Sequence, residues 1–132
     1  MMITTSTTTL QDKMRCHTQF RDSSDSFTTD VPTVFGGMGE HVSPGEMLAA
    51  TVASCMLSMM GLTGRKHGFS AEGVTAAAAC EEKGGAITAI NFDITLPATL
   101  TEEQRKLLHQ AAANCPVGNA IAERVKKNIT WH

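Results

Sequence analysis

The chain has 132 residues, a formal net charge of −2 and only 18% charged residues. The length suits one domain, and the charge gives no electrostatic case for nucleic acid or an anionic membrane surface. So low a charged fraction points to extra surface buried in an oligomer, and eight Met against five Phe, one Trp and no Tyr point to a core of small, flexible side chains.

Residues 1–12 read as a disordered tail and 13–132 as a single domain. The first nine residues are polar, Thr-rich and aperiodic. They lack the basic and apolar regions of a secretory signal, which favours the cytoplasm. From Lys13 to Arg21 the pattern alternates, with Met14, Cys16, Thr18 and Phe20 on one face and Lys13, Arg15, His17, Gln19 and Arg21 on the other. This predicts a half-buried strand. Asp22-Ser23-Ser24-Asp25 is a turn signal, Ser26 to Thr29 the returning strand, and Val31 to Phe35 a third, irregular strand marked by Pro32.

Pro44 to Lys66 is the longest apolar segment and predicts a central helix. Ser43 is its N-cap, Pro44 its first residue, and Arg65, Lys66 and His67 close it before Gly68. It is apolar on nearly every side, so burial on nearly every side, by sheet or by a second subunit, is expected. A membrane span is rejected, because Met47 to Leu62 is short of about 20 residues and rich in Ala, Ser and Thr.

Gly73 to Glu82 and Ile87 to Leu96 read as a hairpin about Lys83-Gly84-Gly85. Thr101 with Gln104 forms a capping-box pattern for a second helix, which carries Leu107, Leu108, Ala111 and Ala112. Asn114-Cys115-Pro116 breaks it, and Pro116 opens a short third helix. A final strand places Val125, Ile129 and Trp131 on one face. The order predicts an α+β fold with a mainly antiparallel sheet around the long central helix.

The five His and four Cys show no CxxC, HxxxH or HExxH spacing, so no metal site is expected. The Gly36-Gly37-Met38-Gly39 run lacks the phosphate-loop pattern, and no GxSxG occurs. No cofactor is expected.

Four cysteines, Cys16, Cys55, Cys80 and Cys115, are widely spaced. In a reducing compartment they are not a structural disulfide framework. Cys16 and Cys80 read as strand-face core residues. Cys55 lies inside the central helix, where burial alone accounts for a cysteine. Cys115, as N-cap of the third helix, lies near unpaired N–H groups that lower a thiol pKa. By this argument Cys115 is the better thiolate, and Cys55 needs a cation from another element. Arg15, His17 and Arg21 are the candidates. Glu46 is a candidate acid or base, although nine residues from Cys55 place the two on opposite sides of an ideal helix.

The Gly-Gly loop, Ser43-Pro-Gly-Glu-Met-Leu-Ala-Ala-Thr-Val-Ala-Ser-Cys55, and Cys115-Pro-Val-Gly-Asn-Ala-Ile together resemble the OsmC/Ohr family. Thr29-Asp-Val-Pro32 and Leu96-Pro97 add to the match, which runs from about Lys13 to His132. The resemblance implies an OsmC-like fold in an intertwined homodimer and thiol-dependent reduction of organic hydroperoxides. Cys55 would be peroxidatic, Cys115 would resolve it through a disulfide, and a dithiol or a lipoylated protein would be the reductant. Ohr members carry a Glu directly after the helix-entry Pro; here that position is Gly45 and the acid is Glu46. They also place an arginine in the loop of the first hairpin. Arg21, at the start of the expected hairpin turn, is the match, with Arg15 in reserve. Arg21 would stabilise the Cys55 thiolate and Glu46 would orient it. A second reading, from a different class, is an OsmC-like thiol sensor or apolar-ligand binder with little turnover.

Overall fold

Two three-stranded sheets and three α-helices make up most of the chain in the computed structural model, which describes residues 3–132. Two compact units form, one ending at Met47 and the other spanning Leu48–His132.

The first unit is an antiparallel sheet of β1 (Ser6–Leu10), β2 (Cys16–Phe20) and β3 (Ser26–Thr29). The sequence reading leaves residues 6–10 in a disordered tail. They form a strand because threonines favour the pleated conformation and pair with β2 from Ser6↔Phe20 to Leu10↔Cys16. The Thr8 and Thr18 hydroxyls hydrogen-bond across that pair at 2.8 Å. Residues 1–2 of the expected tail lie outside the described residues. The first hairpin is therefore β1–β2, not β2–β3, and its loop ends at Arg15. The expected strand at 13–21 starts late, because Lys13 and Met14 take left-handed φ values of 56° and 63° in that loop. Val31 to Phe35 is not a strand: Thr33–Phe35 is a 3-10 turn. Gly37 makes this tight, since its backbone lies against the Val31 carbonyl with no room for a side chain.

Thr18, Thr29 and Asp30 are the buried residues described in this unit. Its centre is polar. The Asp30 side chain is wholly buried and accepts from Arg15 Nε at 2.7 Å and Nη2 at 2.9 Å, Glu40 N at 3.0 Å and His41 N at 2.9 Å. One carboxylate thus joins the first hairpin loop to the segment that leads into the long helix.

That helix, α1 (Pro44–His67), has 24 residues. Its entry is a reciprocal capping box: Glu46 N donates to Ser43 Oγ at 3.2 Å and Ser43 N to Glu46 Oε2 at 2.9 Å. The helix meets the length and hydropathy of a membrane span, but it is the core helix of the second unit. Val52, Met56 and Met60 have no exposure, and Ala49, Ala53 and Gly64 are buried. Burial all round is not found within one chain. Thr51, Ser54, Ser58, Gly61 and Leu62 stay exposed, because small and hydroxylated residues form a second face that the chain's own core does not need.

The second unit's sheet is β4 (Thr75–Lys83), β5 (Ala86–Thr95) and β6 (Lys126–Trp131), in that order. Gly84 and Gly85, at φ 58° and 81°, make the two-residue β4–β5 turn that requires left-handed residues. β5 is central, antiparallel to β4 and parallel to β6. Between β5 and β6 run α2 (Glu102–Ala113), with the predicted Thr101–Gln104 capping box, and α3 (Pro116–Ile121). Ile90, Phe92 and Ile94 of β5, Leu108, Ala111 and Ala112 of α2, and the buried residues of α1 form one core with Cys115 and Val125.

The Arg15 guanidinium, then the His41 and Glu40 N–H groups, hold Asp30 well below the usual carboxylate range. A lowered folded value contributes stability above the unfolded carboxylate pKa, about 3.9, and loses it as pH falls through the folded value. The pair should therefore persist through mild acid. Asp30→Asn should speed amide exchange at Glu40 and His41 while leaving β5 protected. Unchanged exchange at both would contradict a polar centre for this unit.

Candidate active site

Cys115 lies where α2 stops and α3 starts. Pro116 cannot continue α2 and suits the first position of a new helix, so Cys115 becomes the N-cap of α3 with extended backbone. Its side chain turns inward and is wholly buried. The sulfur accepts from Gly118 N at 3.3 Å and its S–H reaches Val52 O of α1 at 3.8 Å. Val52 precedes Cys55 by three residues, so the Cys115 thiol rests on the helical turn that carries Cys55. The two thiols are close enough for Cys55 to act on the ionisation of Cys115, and both are free. Cys55 is half-buried at the edge of the core and Cys115 is inside it.

Burial pushes the Cys115 thiol up from its ordinary value of 9.0. The Gly118 and Val117 N–H groups oppose that push, and the neighbouring Cys55 adds to it. This corrects the sequence reading that the helix tip makes Cys115 the better thiolate. The N–H groups are present as expected, but desolvation of a fully buried sulfur outweighs them. The more accessible thiol of the pair is Cys55.

The charged candidates belong to the first unit. Arg21 is exposed, 3.8 Å from Asp22 and 3.5 Å from Thr4 O. Glu46 is exposed and its carboxylate serves the capping box with Ser43. No hydrogen bond or ion pair joins Arg21 to Glu46 among the described residues. Arg15, the reserve candidate, is the ordered arginine: Asp30 holds it in a two-pronged pair and Glu40 approaches it at 3.4 Å. Asp30 was not singled out as a site residue. Its sequence signal was the Thr29-Asp-Val-Pro32 run, in which a carboxylate follows a strand and precedes a tight turn.

Cys16 and Cys80 are half-buried on β2 and β4, and Cys80 packs against the core of the second unit opposite Ile90. Among the described residues no His, Cys, Asp or Glu cluster could hold a metal ion. An open cavity of about 760 Å³ lies at the far end of α1, lined by Leu57, Arg65, Phe69 and Val74 among others.

The family model described as OsmC-like protein matches residues 37–130. No curated protein is a match. Among solved structures, a candidate osmotic stress induced and detoxification response protein from Psychrobacter arcticus is similar. It has 28% identity and a TM-score of 0.93 over 100% of this chain and 98% of that one. An OsmC organic hydroperoxide resistance protein from Legionella pneumophila has 18% identity and a TM-score of 0.76, over 96% and 93% of the two chains. An organic hydroperoxide resistance protein from Elizabethkingia anophelis has 20% identity and a TM-score of 0.76, over 99% and 96%. The last two likenesses are of fold.

The thiol pair makes a direct prediction. A raised folded pKa keeps Cys115 protonated at neutral pH, with ionisation delayed beyond the ordinary thiol value. Brief alkylation of the reduced, folded protein at pH 7, read by mass spectrometry, should modify Cys55 well ahead of Cys115, the gap narrowing above pH 9. Equal labelling at pH 7 would contradict the burial argument.

Proposed function

The chain belongs to the OsmC-like protein family, and from that premise we propose that it reduces organic hydroperoxides with Cys55 as the attacking thiol and Cys115 as the resolving thiol. The observation that carries the reading is the placement of a half-buried thiol on α1 beside a buried one at the tip of α3, whose S–H reaches Val52 O on the helical turn that bears Cys55. Their unequal exposure suits an order of events in which the peroxide meets Cys55 first.

In this reading the Cys55 thiolate attacks the distal oxygen of the hydroperoxide. The O–O bond breaks, the alkoxide takes a proton and leaves as the alcohol, and Cys55 is left as a sulfenic acid. Cys115 loses its proton and attacks the Cys55 sulfur. The S–S bond forms, and the displaced hydroxide takes the proton and leaves as water. An external dithiol, small or lipoyl-borne, then reduces the disulfide by exchange. The net change converts one hydroperoxide and one dithiol to an alcohol, water and a disulfide.

The stabilising cation is assigned to Arg15 in preference to Arg21. Two observations support this. Arg15 ends the loop of the first hairpin, β1–β2, the place where the family resemblance puts an arginine. Its guanidinium is also oriented by a buried carboxylate, whereas Arg21 is exposed. Orientation of the arginine passes from Glu46 to Asp30, and Glu46 keeps its capping role. A homodimer fits the same reading, since the exposed Thr51–Leu62 face of α1 and exposed Leu10, Val34 and Phe35 leave apolar surface for a second copy. A cytoplasmic location fits two cysteines kept as thiols between turnovers.

Stopped-flow assays with an alkyl hydroperoxide and a dithiol test the assignment. Cys55→Ser should abolish turnover. Cys115→Ser should consume about one equivalent and then stop. Arg15→Ala should lower kcat/KM by about 10²-fold or more, the order of one lost transition-state donor, and Arg21→Ala by no more than about twofold, as for an exposed side chain. Wild-type consumption by Cys55→Ser would sink the peroxidase reading and leave thiol sensing or apolar-ligand binding. Equal losses in the two arginine variants would sink the choice of Arg15.

A further inference from the structure

One residue of β6 is out of keeping with its face. Lys127, Ile129 and Trp131 are the half-buried residues of the strand, alternating with exposed Lys126, Asn128 and Thr130. The inward row lies in register with Ile90, Phe92 and Ile94 of β5, all buried, and Ile90 is opposite Cys80 of β4. A lysine in a core-facing row is costly unless its stem packs and its ammonium finds an acceptor.

Both needs are met on α3. The stem lies across the Cα of Gly118: a Cβ added there would stand 2.9 Å from Lys127 Nζ, 3.1 Å from Cδ and 3.4 Å from Cε. The ammonium donates to Asn119 Oδ1 at 3.4 Å. These two neighbours are also the residues that hold Cys115. Gly118 N donates to Cys115 Sγ at 3.3 Å, and Asn119 N to Cys115 O at 2.9 Å. Gly118 is buried, and its missing side chain is the space that the lysine stem occupies.

We propose that Lys127 is a positioning residue for Cys115, pinning the first turn of α3 so that the Gly118 N–H stays on the sulfur while that sulfur gives up its proton. The inference rests on the resolving role proposed above. In the condensation step Cys115 must ionise inside the core before it attacks the Cys55 sulfenic acid. The N–H bond favours the thiolate over the thiol. A loosened turn removes part of that help, so the thiol ionises at higher pH and the S–S bond forms more slowly at a given pH. Attack of Cys55 on the peroxide does not involve α3 and is unaffected.

Two measurements on Lys127→Ala and Lys127→Met separate the possibilities. Single-turnover stopped flow resolves peroxide-dependent oxidation of Cys55 from the peroxide-independent formation of the disulfide. Lys127→Ala should slow disulfide formation at pH 8 about fivefold, the factor for one ordinary hydrogen bond, with an alkaline shift of its pH profile and an unchanged oxidation rate. Lys127→Met, which keeps the stem, should fall between. The second measurement is a ¹³C titration of the Cys115 β-carbon in a Cys55→Ser background, where Lys127→Ala should move the midpoint upward. It needs no peroxide, so it judges Lys127 even if the wild type forms no disulfide and the peroxidase reading fails. An unmoved midpoint, or a disulfide step with wild-type rate and pH profile in Lys127→Ala, would overturn the proposal.

Discussion

The buried Cys115 thiol finds polar partners inside the core, and these contacts fix how the start of α3 meets α1. Its sulfur accepts from Gly118 N and its S–H turns to Val52 O on α1. For this to hold, α2 must end at Asn114, Pro116 must restart the chain as α3, and α3 must lie against the turn of α1 that bears Cys55. The same contact brings two thiols together and makes them unequal. Desolvation raises the inner one, and position at the edge of the core leaves the outer one reachable.

The first unit is organised by a different interaction. It buries two threonines and an aspartate among its described residues, so apolar packing within it contributes little. A single carboxylate gathers a guanidinium and two backbone N–H groups. Such charge-assisted bonds are short and directional. Removing Arg15 strands Asp30, whose side chain has no exposure, in a dry site, which makes the pair a strict specifier of local geometry. An arginine held this way has a fixed direction, a property that an exposed arginine such as Arg21 lacks.

Much of this was legible in the sequence where one physical rule dominated. Thr101 and Gln104 announced their capping box, Gly84-Gly85 their hairpin, and Pro44 and Pro116 the starts of their helices. The family was legible from the residues around Cys55 and Cys115. Other features depended on distant partners. The β1 strand is a run of threonines without apolar alternation, so only its pairing with β2 defines it, and without it the first hairpin is placed one strand too late. The helix-tip argument for Cys115 fails because the N–H groups are visible in sequence and desolvation is not. Lys127 interrupts the row of Val125, Ile129 and Trp131, a gap in alternation whose meaning needs Gly118 beside it.

The central claim is that Cys55 and Cys115 form one redox pair, and mapping the oxidised thiols tests it most directly. A disulfide requires Cα atoms within about 7 Å. Reduced protein is treated with one equivalent of an alkyl hydroperoxide, quenched by alkylation and digested, and linked peptides are identified by mass spectrometry. Rapid loss of two thiols and one Cys55–Cys115 linkage is expected, with Cys16 and Cys80 alkylated as before. Four unchanged thiols, or over-oxidation of Cys55 with Cys115 still reduced, would contradict it.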